Sequence, residues 1–186
     1  MRVIAGKFRS RRLQSVRGID IRPTSDRLRE TLFNVLTAGN PGALEGSVWI
    51  DLFAGTGAVG IEAISRGAEL VYFVESSKEA GDLILKNLQS LGISAGFRVL
   101  RQDALRTPQN WRERRAHFVF IDPPYGMEKA YTEVLAALPG SPLMLPETSV
   151  IVEHQKKFDP GDEIGSLRRV RMLKQGDAVL SFYRNG

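Results

Sequence analysis

The chain has 186 residues, 42% of them hydrophobic and 18 of them glycine, which suits one globular unit and leaves no room for a second full domain. No apolar stretch approaches the ~20 residues that span a bilayer, and Met1-Arg-Val-Ile-Ala is too short for a signal-peptide core, so a cytoplasmic protein is expected. The absence of cysteine excludes a disulfide frame, a thiolate zinc site and a cysteine nucleophile, and two histidines, His117 and His154, make an imidazole cluster unpromising, so no metal is expected.

Charge is concentrated at one end. Residues 1–40 hold nine Lys/Arg against three acids, a net +6 in a chain whose total is +5, so the remainder is nearly neutral. Such asymmetry describes a polyanion-binding arm on a neutral body; a merely solvated face is the alternative, disfavoured because arginine dominates and Phe8 lies within the cluster. The residues expected to meet nucleic acid are Arg2, Lys7, Arg9, Arg11, Arg12, Arg22, Thr24, Arg27 and Arg29.

In chain order, two short strands are predicted at Arg2 to Ala5 and Arg12 to Val16, joined through Gly6 to Ser10. Arg22-Pro-Thr-Ser25 then supplies an extended stop and a helix cap, and Leu28, Leu32, Val35 and Leu36 give helical spacing as far as Gly39. From Val48 onward buried strands alternate with helical patterns, the signature of a doubly wound α/β sheet. Strands are predicted at Val48 to Phe53, Leu70 to Glu75, Phe97 to Leu100, Phe118 to Asp122 and Ser149 to Glu153. Helices fall from Gly57 to about Arg66, across Ala80, Leu83, Ile84, Asn87, Leu88 and Leu91, weakly around Trp111, and from Glu128 to Leu138. Leu167 to Leu173 and Ala178 to Tyr183 form an antiparallel hairpin that closes a mostly parallel, seven-stranded sheet.

Two motifs carry chemistry. In Asp51-Leu-Phe-Ala-Gly55-Thr-Gly57-Ala-Val-Gly60, the glycines mark a turn where backbone approaches a ligand. Gly55, Gly57 and Gly60 spell G-x-G-x-x-G, and Glu75 ends the next strand, so a nicotinamide dinucleotide is a rival to S-adenosylmethionine that glycine spacing cannot dismiss. Asp51 weighs against a pyrophosphate and suits a ligand bearing an ammonium and a sulfonium. The expected cofactor residues are Asp51, Phe53, Gly55, Gly57, Glu75 for the ribose, Ser76, Asp103 for the adenine amine, and Ala104. Asp103 could equally be a turn or cap aspartate.

The second motif is Asp122-Pro-Pro-Tyr125, which ends an apolar run at the sheet edge where α/β folds bind ligands. Pro123 lacks an N–H and is held extended by Pro124, so Asp122 and the Pro123 carbonyl are acceptors without a competing donor, beside the ring of Tyr125. Alone, this could be only a strand and a Pro-Pro turn. With a sulfonium donor nearby it is a seat for an exocyclic amine, whose lone pair it would turn toward the methyl group, with the base splayed onto Tyr125. Asp122, Pro123 and Tyr125 are therefore the expected catalytic residues. Guanine N2 and adenine N6 are chemically equivalent here, and a non-catalytic RNA-binding module remains a reading from another class.

The sequence resembles the RsmD family of 16S ribosomal RNA guanine-N2 methyltransferases. The likeness runs nearly end to end through Arg2-Val-Ile-Ala-Gly-Lys-Phe-Arg-Ser-Arg-Arg-Leu13, Arg22-Pro-Thr-Ser-Asp-Arg-Leu-Arg-Glu-Thr-Leu-Phe-Asn34, Asp51 to Gly57, Phe73-Val-Glu75, Asp122-Pro-Pro-Tyr-Gly126, Val152-Glu-His154 and Gly176 to Tyr183. Lys174-Gln before Gly176 departs mildly from the family's pattern. The resemblance implies a Rossmann-like class I methyltransferase fold and S-adenosylmethionine as methyl donor, with S-adenosylhomocysteine as product. It also implies 16S ribosomal RNA of an assembling small subunit as partner. Residues 1–40 are then a basic RNA-binding extension, residues 41–186 the methyltransferase domain, and the chain is expected to act as a monomer without a membrane.

Overall fold

A computed structural model describes residues 1–15, 25–124 and 126–186. Arg22, Thr24 and Tyr125, each assigned a functional part above, lie outside the described residues, as does Val16 at the end of the second expected strand.

The N-terminal segment leads to α1 (Asp26–Leu36), after which strands and helices alternate: β1 (Val48–Leu52), α2 (Ala58–Ser65), β2 (Leu70–Val74), α3 (Lys78–Ser90), β3 (Phe97–Leu100), α4 (Thr107–Asn110), β4 (Ala116–Ile121) and α5 (Glu128–Ala137). β5 (Met144–Gln155), β6 (Glu163–Ile164), β7 (Leu167–Gln175) and β8 (Ala178–Asn185) complete one sheet in the order β3-β2-β1-β4-β5-β8-β7-β6. β3, β2, β1, β4 and β5 run parallel, and β8 pairs antiparallel with both β5 and β7. Among the described residues the sheet thus has eight strands rather than seven. The extra one, β6, is a two-residue edge with no apolar run to announce it.

Why the body folds this way follows from burial. β1 is buried at every position and β5 from Thr148 to His154, as befits strands covered on both faces. One face carries α1, α2 and α3, with Leu32, Phe33, Ile61 and Ile84 against Trp49 and Phe73. The Trp49 ring lies between Phe33 and Phe118, with centroids 5.4 and 5.2 Å away. The other face holds Trp111, Tyr131, Val134 and Leu138. The helix starts are capped as their serines suggest: Ser25 Oγ accepts from the Leu28 N–H at 3.2 Å and Ser77 Oγ from the Ala80 N–H at 3.2 Å. α2 packs its own backbone onto the sheet, since a Cβ at Gly60 would lie 2.3 Å from the Phe73 ring.

Among the described residues the expected N-terminal hairpin is short: Arg2 bridges Arg12 antiparallel, with the Val3 N–H donating to the Arg11 carbonyl at 2.9 Å and the Leu13 N–H to the Met1 carbonyl at 3.1 Å. The reason is competition for its backbone donors. The Ile4 and Ala5 N–H groups donate to the Glu62 carboxylate at 2.8 and 3.0 Å, and the Lys7 N–H donates to the Ser65 carbonyl at 2.7 Å. The segment is thus pinned to α2 instead of pairing along its length. Val3 and Leu13 are buried in the same core as α1. The weak helix expected around Trp111 is α4, which ends at Asn110, and the Trp111 ring packs edge-on against Tyr72 at 4.9 Å.

Candidate active site

The carboxyl ends of the parallel strands gather the acidic residues. Asp51 lies in β1 opposite Phe73 and Phe120, and Glu75 follows β2 directly. Asp122 follows β4, and because Ile121 pairs with Val152, Glu153 is its neighbour in register on β5. Asp103 comes three residues after β3. One sheet edge therefore carries five carboxylates on five adjacent strands.

The glycine-rich turn is tightly specified. Phe53, Gly55 and Gly57 all have positive φ (63°, 53° and 75°), and for Phe53 this left-handed state carries a cost that its surroundings must offset. Glu75 holds the turn: its Oε2 accepts from the Gly55 N–H at 2.9 Å and its Oε1 from the Ser77 N–H at 2.8 Å. Each oxygen keeps lone-pair capacity for a ligand hydroxyl. Asp51 is 2% exposed, and its Oδ2 accepts from the Gly60 N–H at 3.0 Å in the first turn of α2. Burial holds the Asp51 carboxyl well above the usual range; the Gly60 N–H pulls it back down and the charge of Glu75 adds to the rise. An N–H that in a dinucleotide fold would face phosphate is here occupied by the protein's own carboxylate.

Asp103 behaves as a turn residue: its Oδ1 accepts from the Leu105 N–H at 2.9 Å and its carboxylate is half exposed, while Ala104 beside it is buried and Ser76 is exposed. Asp122 is half-buried, Pro123 buried and Pro124 exposed. His154 is not a free base. Its ring is 2% exposed, with Nε2 2.9 Å from Ser181 Oγ and Nδ1 3.0 Å from the Gln155 carbonyl, and burial pulls its pKa down.

Most of the arm's cations are outward: Arg2, Lys7, Arg9, Arg11, Arg12 and Arg27 are exposed. Arg29 is a correction. It is completely buried, its Nη2 donating to the Arg2 carbonyl and to Asp26 Oδ1 at 2.8 Å, so it cannot meet a phosphate in this arrangement. Two residues outside the sequence-based site organise the region. Glu62, fully buried in α2, accepts from the arm and from Arg66 Nε at 2.8 Å; Asn87, fully buried in α3, bonds both Gln14 and Thr56. Each could have been noticed as a polar side chain on an otherwise apolar helix face.

A family model described as Conserved hypothetical protein 95 matches residues 1–184. A protein from Haemophilus influenzae named Ribosomal RNA small subunit methyltransferase D is 37% identical over 162 residues, covering 84% of this chain and 79% of that protein. The chain belongs to the RsmD family. YlbH of Bacillus subtilis, 34% identical, extends the family match over 99% of this chain and 98% of its own. Among solved structures, yhhF from Escherichia coli superposes with a TM-score of 0.84 at 26% identity, covering 100% of this chain and 98% of that one. A more distant structure, SMU.776 complexed with SAH, shares the fold alone, with a TM-score of 0.66 at 15% identity over 84% of this chain and 48% of its own. The fold is the Rossmann-like class I methyltransferase fold that the family resemblance implied.

Proposed function

We propose that the chain transfers a methyl group from S-adenosylmethionine to the exocyclic N2 of a guanine in 16S ribosomal RNA of an assembling small subunit. One observation carries the reading: the glycine-rich turn after β1 and Asp122 after β4 leave adjacent, parallel strands whose last pair is Leu52 with Ile121. Neighbouring strands lie only about 4.8 Å apart, so donor and acceptor can meet across that gap. The family and the names of its relatives support the ribosomal RNA substrate.

The donor set suits this cofactor. Glu75 would take the ribose hydroxyls, and Asp51, holding the Gly60 N–H, would disfavour a pyrophosphate under the turn. Phe53, Gly55, Gly57, Ser76, Asp103 and Ala104 would line the rest. When bound, the cofactor supplies an electrophilic methyl on sulfur, so that a nitrogen lone pair forms the new C–N bond as the C–S bond breaks. Asp122 and the Pro123 carbonyl accept the amine's N–H bonds and keep that lone pair directed, with Tyr125 as a stacking surface. Residues 1–40 serve as the RNA-holding extension of a methyltransferase domain spanning 41–186. Mass-spectrometric mapping of nucleosides in 16S RNA from a deletion strain tests the reading: loss of one N2-methylguanine supports it, whereas loss of a methyladenine, or no change, defeats it.

Two further outcomes are expected. Because Asp51 has a raised pKa when folded, it favours the fold at low pH and withdraws that support as pH rises through the raised value. A cation bound nearby lowers that pKa, so cofactor binding just below it should release protons. Calorimetry in buffers of different ionisation enthalpy would detect this, and Asp51→Asn should abolish it; release unchanged in the variant would refute the assignment. Neutralising Arg9, Arg11 and Arg12 together should weaken RNA binding and flatten its salt dependence by about one unit of log–log slope per lost phosphate contact. An unchanged slope would mean that these arginines do not touch the RNA.

A further inference from the structure

Asn87 satisfies every hydrogen-bonding group of its side chain, and it does so between two parts of the chain far apart in sequence. Its Oδ1 accepts from the Gln14 N–H at 2.8 Å, and its Nδ2 donates to the Gln14 carbonyl at 3.2 Å and to the Thr56 carbonyl at 3.0 Å. Thr56 stands between Gly55 and Gly57 in the glycine-rich turn. Gln14 belongs to the basic arm, where it follows the buried anchor Leu13. Toward Gln14 the amide acts like a strand's backbone, matching one donor and one acceptor, and its remaining proton holds the turn. A second contact runs in parallel: the Thr56 hydroxyl lies 3.9 Å from Met1 Sδ, while the Met1 carbonyl accepts from the Leu13 N–H at 3.1 Å. Both ends of the arm's antiparallel bridge therefore converge on Thr56.

The other anchors of the arm lead elsewhere. Glu62 and Ser65 hold Ile4 to Phe8 against α2. We infer that Asn87 is a positioning residue that couples the two substrates' sites. Holding the Thr56 carbonyl in its donor-binding geometry and holding the arm at Gln14 draw on the same side-chain amide, so whatever fixes one favours the other. Methyl-donor binding then tightens RNA binding, and RNA tightens donor binding by the same factor, as linkage requires. The inference rests on the proposed donor and RNA substrate.

The test is the affinity for S-adenosylhomocysteine, measured by calorimetry with and without saturating assembling small subunits whose 16S RNA carries the unmethylated guanine. In the unaltered chain the RNA should raise that affinity roughly five- to a hundredfold, the ordinary span of coupling between sites. Asn87→Asp keeps the acceptor for the Gln14 N–H and loses both donations. It should weaken S-adenosylhomocysteine binding alone and erase the RNA effect. Gln14→Pro acts from the arm side, deleting the N–H that Asn87 accepts and fixing the local φ, and because Gln14 is exposed it remains informative if the buried substitution fails to fold. It should leave S-adenosylhomocysteine binding without RNA unchanged, bring the RNA effect close to unity, and speed amide exchange in residues 2–13 in the presence of S-adenosylhomocysteine. If both ligands bind the unaltered chain but independently, or if the coupling survives both substitutions, the inference is overturned while the proposed function stands. If either ligand fails to bind at all, the proposed function falls and the inference falls with it.

Discussion

Asp122→Ala is expected to cut methyl transfer by roughly a hundredfold or more while S-adenosylhomocysteine binds as before, because in the proposed mechanism the lost acceptor serves the amine in the transition state and not the donor. Asp122 is only half-buried and sits one residue past β4, so its removal should leave the sheet intact. Single-turnover rates on unmethylated 16S RNA, paired with calorimetric S-adenosylhomocysteine affinity, separate the two effects. Asp122→Asn, which keeps the shape but brings a competing N–H donor, should recover little of the rate. A variant with normal turnover would remove the amine seat from the mechanism, whatever happens to the family assignment.

The second large effect concerns stability. Arg29→Met keeps an apolar stem of similar length and deletes a fully buried guanidinium that faces the charges of Asp26, Glu62 and Glu153 and donates to the Arg2 carbonyl. Burial pulls the Arg29 pKa down and these carboxylates push it back up. Taking one member out of such a buried charged group costs about 3–5 kcal/mol. For a chain of this size that lowers the melting temperature by on the order of 10 °C. The salt slope of RNA binding should stay where it was, since the side chain does not reach the surface. Unaltered melting together with a shallower slope would return Arg29 to the phosphate-contacting set.

The body of the fold was legible because its strands are short apolar runs ending in a carboxylate or a glycine, and its helices repeat their apolar residues at 3.6. Asp51, Glu75, Asp103 and Asp122 could be assigned to one edge for the same reason: each ends or follows such a run, and parallel strands put all their carboxyl ends on one side. What was not legible is who bonds to whom. Arg29 shares a helix face with Phe33, four residues on, and only the packed structure shows that this face is inward. Glu62 interrupts the apolar helix Ala58–Ser65, and Asn87 occupies a position in the apolar period of α3, yet neither names its distant partner. The expected hairpin is present but shorter than expected for the same reason: strand propensity cannot reveal that Glu62 takes the Ile4 and Ala5 N–H groups.

β8 lies inside the sheet, hydrogen-bonded to β5 on one side and β7 on the other, although it follows every other strand in sequence. β5 in turn flanks β4, which carries Asp122. During synthesis, therefore, the strand beside the reacting edge waits with one ladder of N–H and C=O groups unmatched until residues near Asn185 have left the ribosome's exit tunnel. The nascent chain can assemble β1 to β4 early, but it cannot close the centre of its sheet before β8 has been made. A stop codon just upstream of β8 would then yield an aggregation-prone chain with an open β5 edge, not a shortened enzyme.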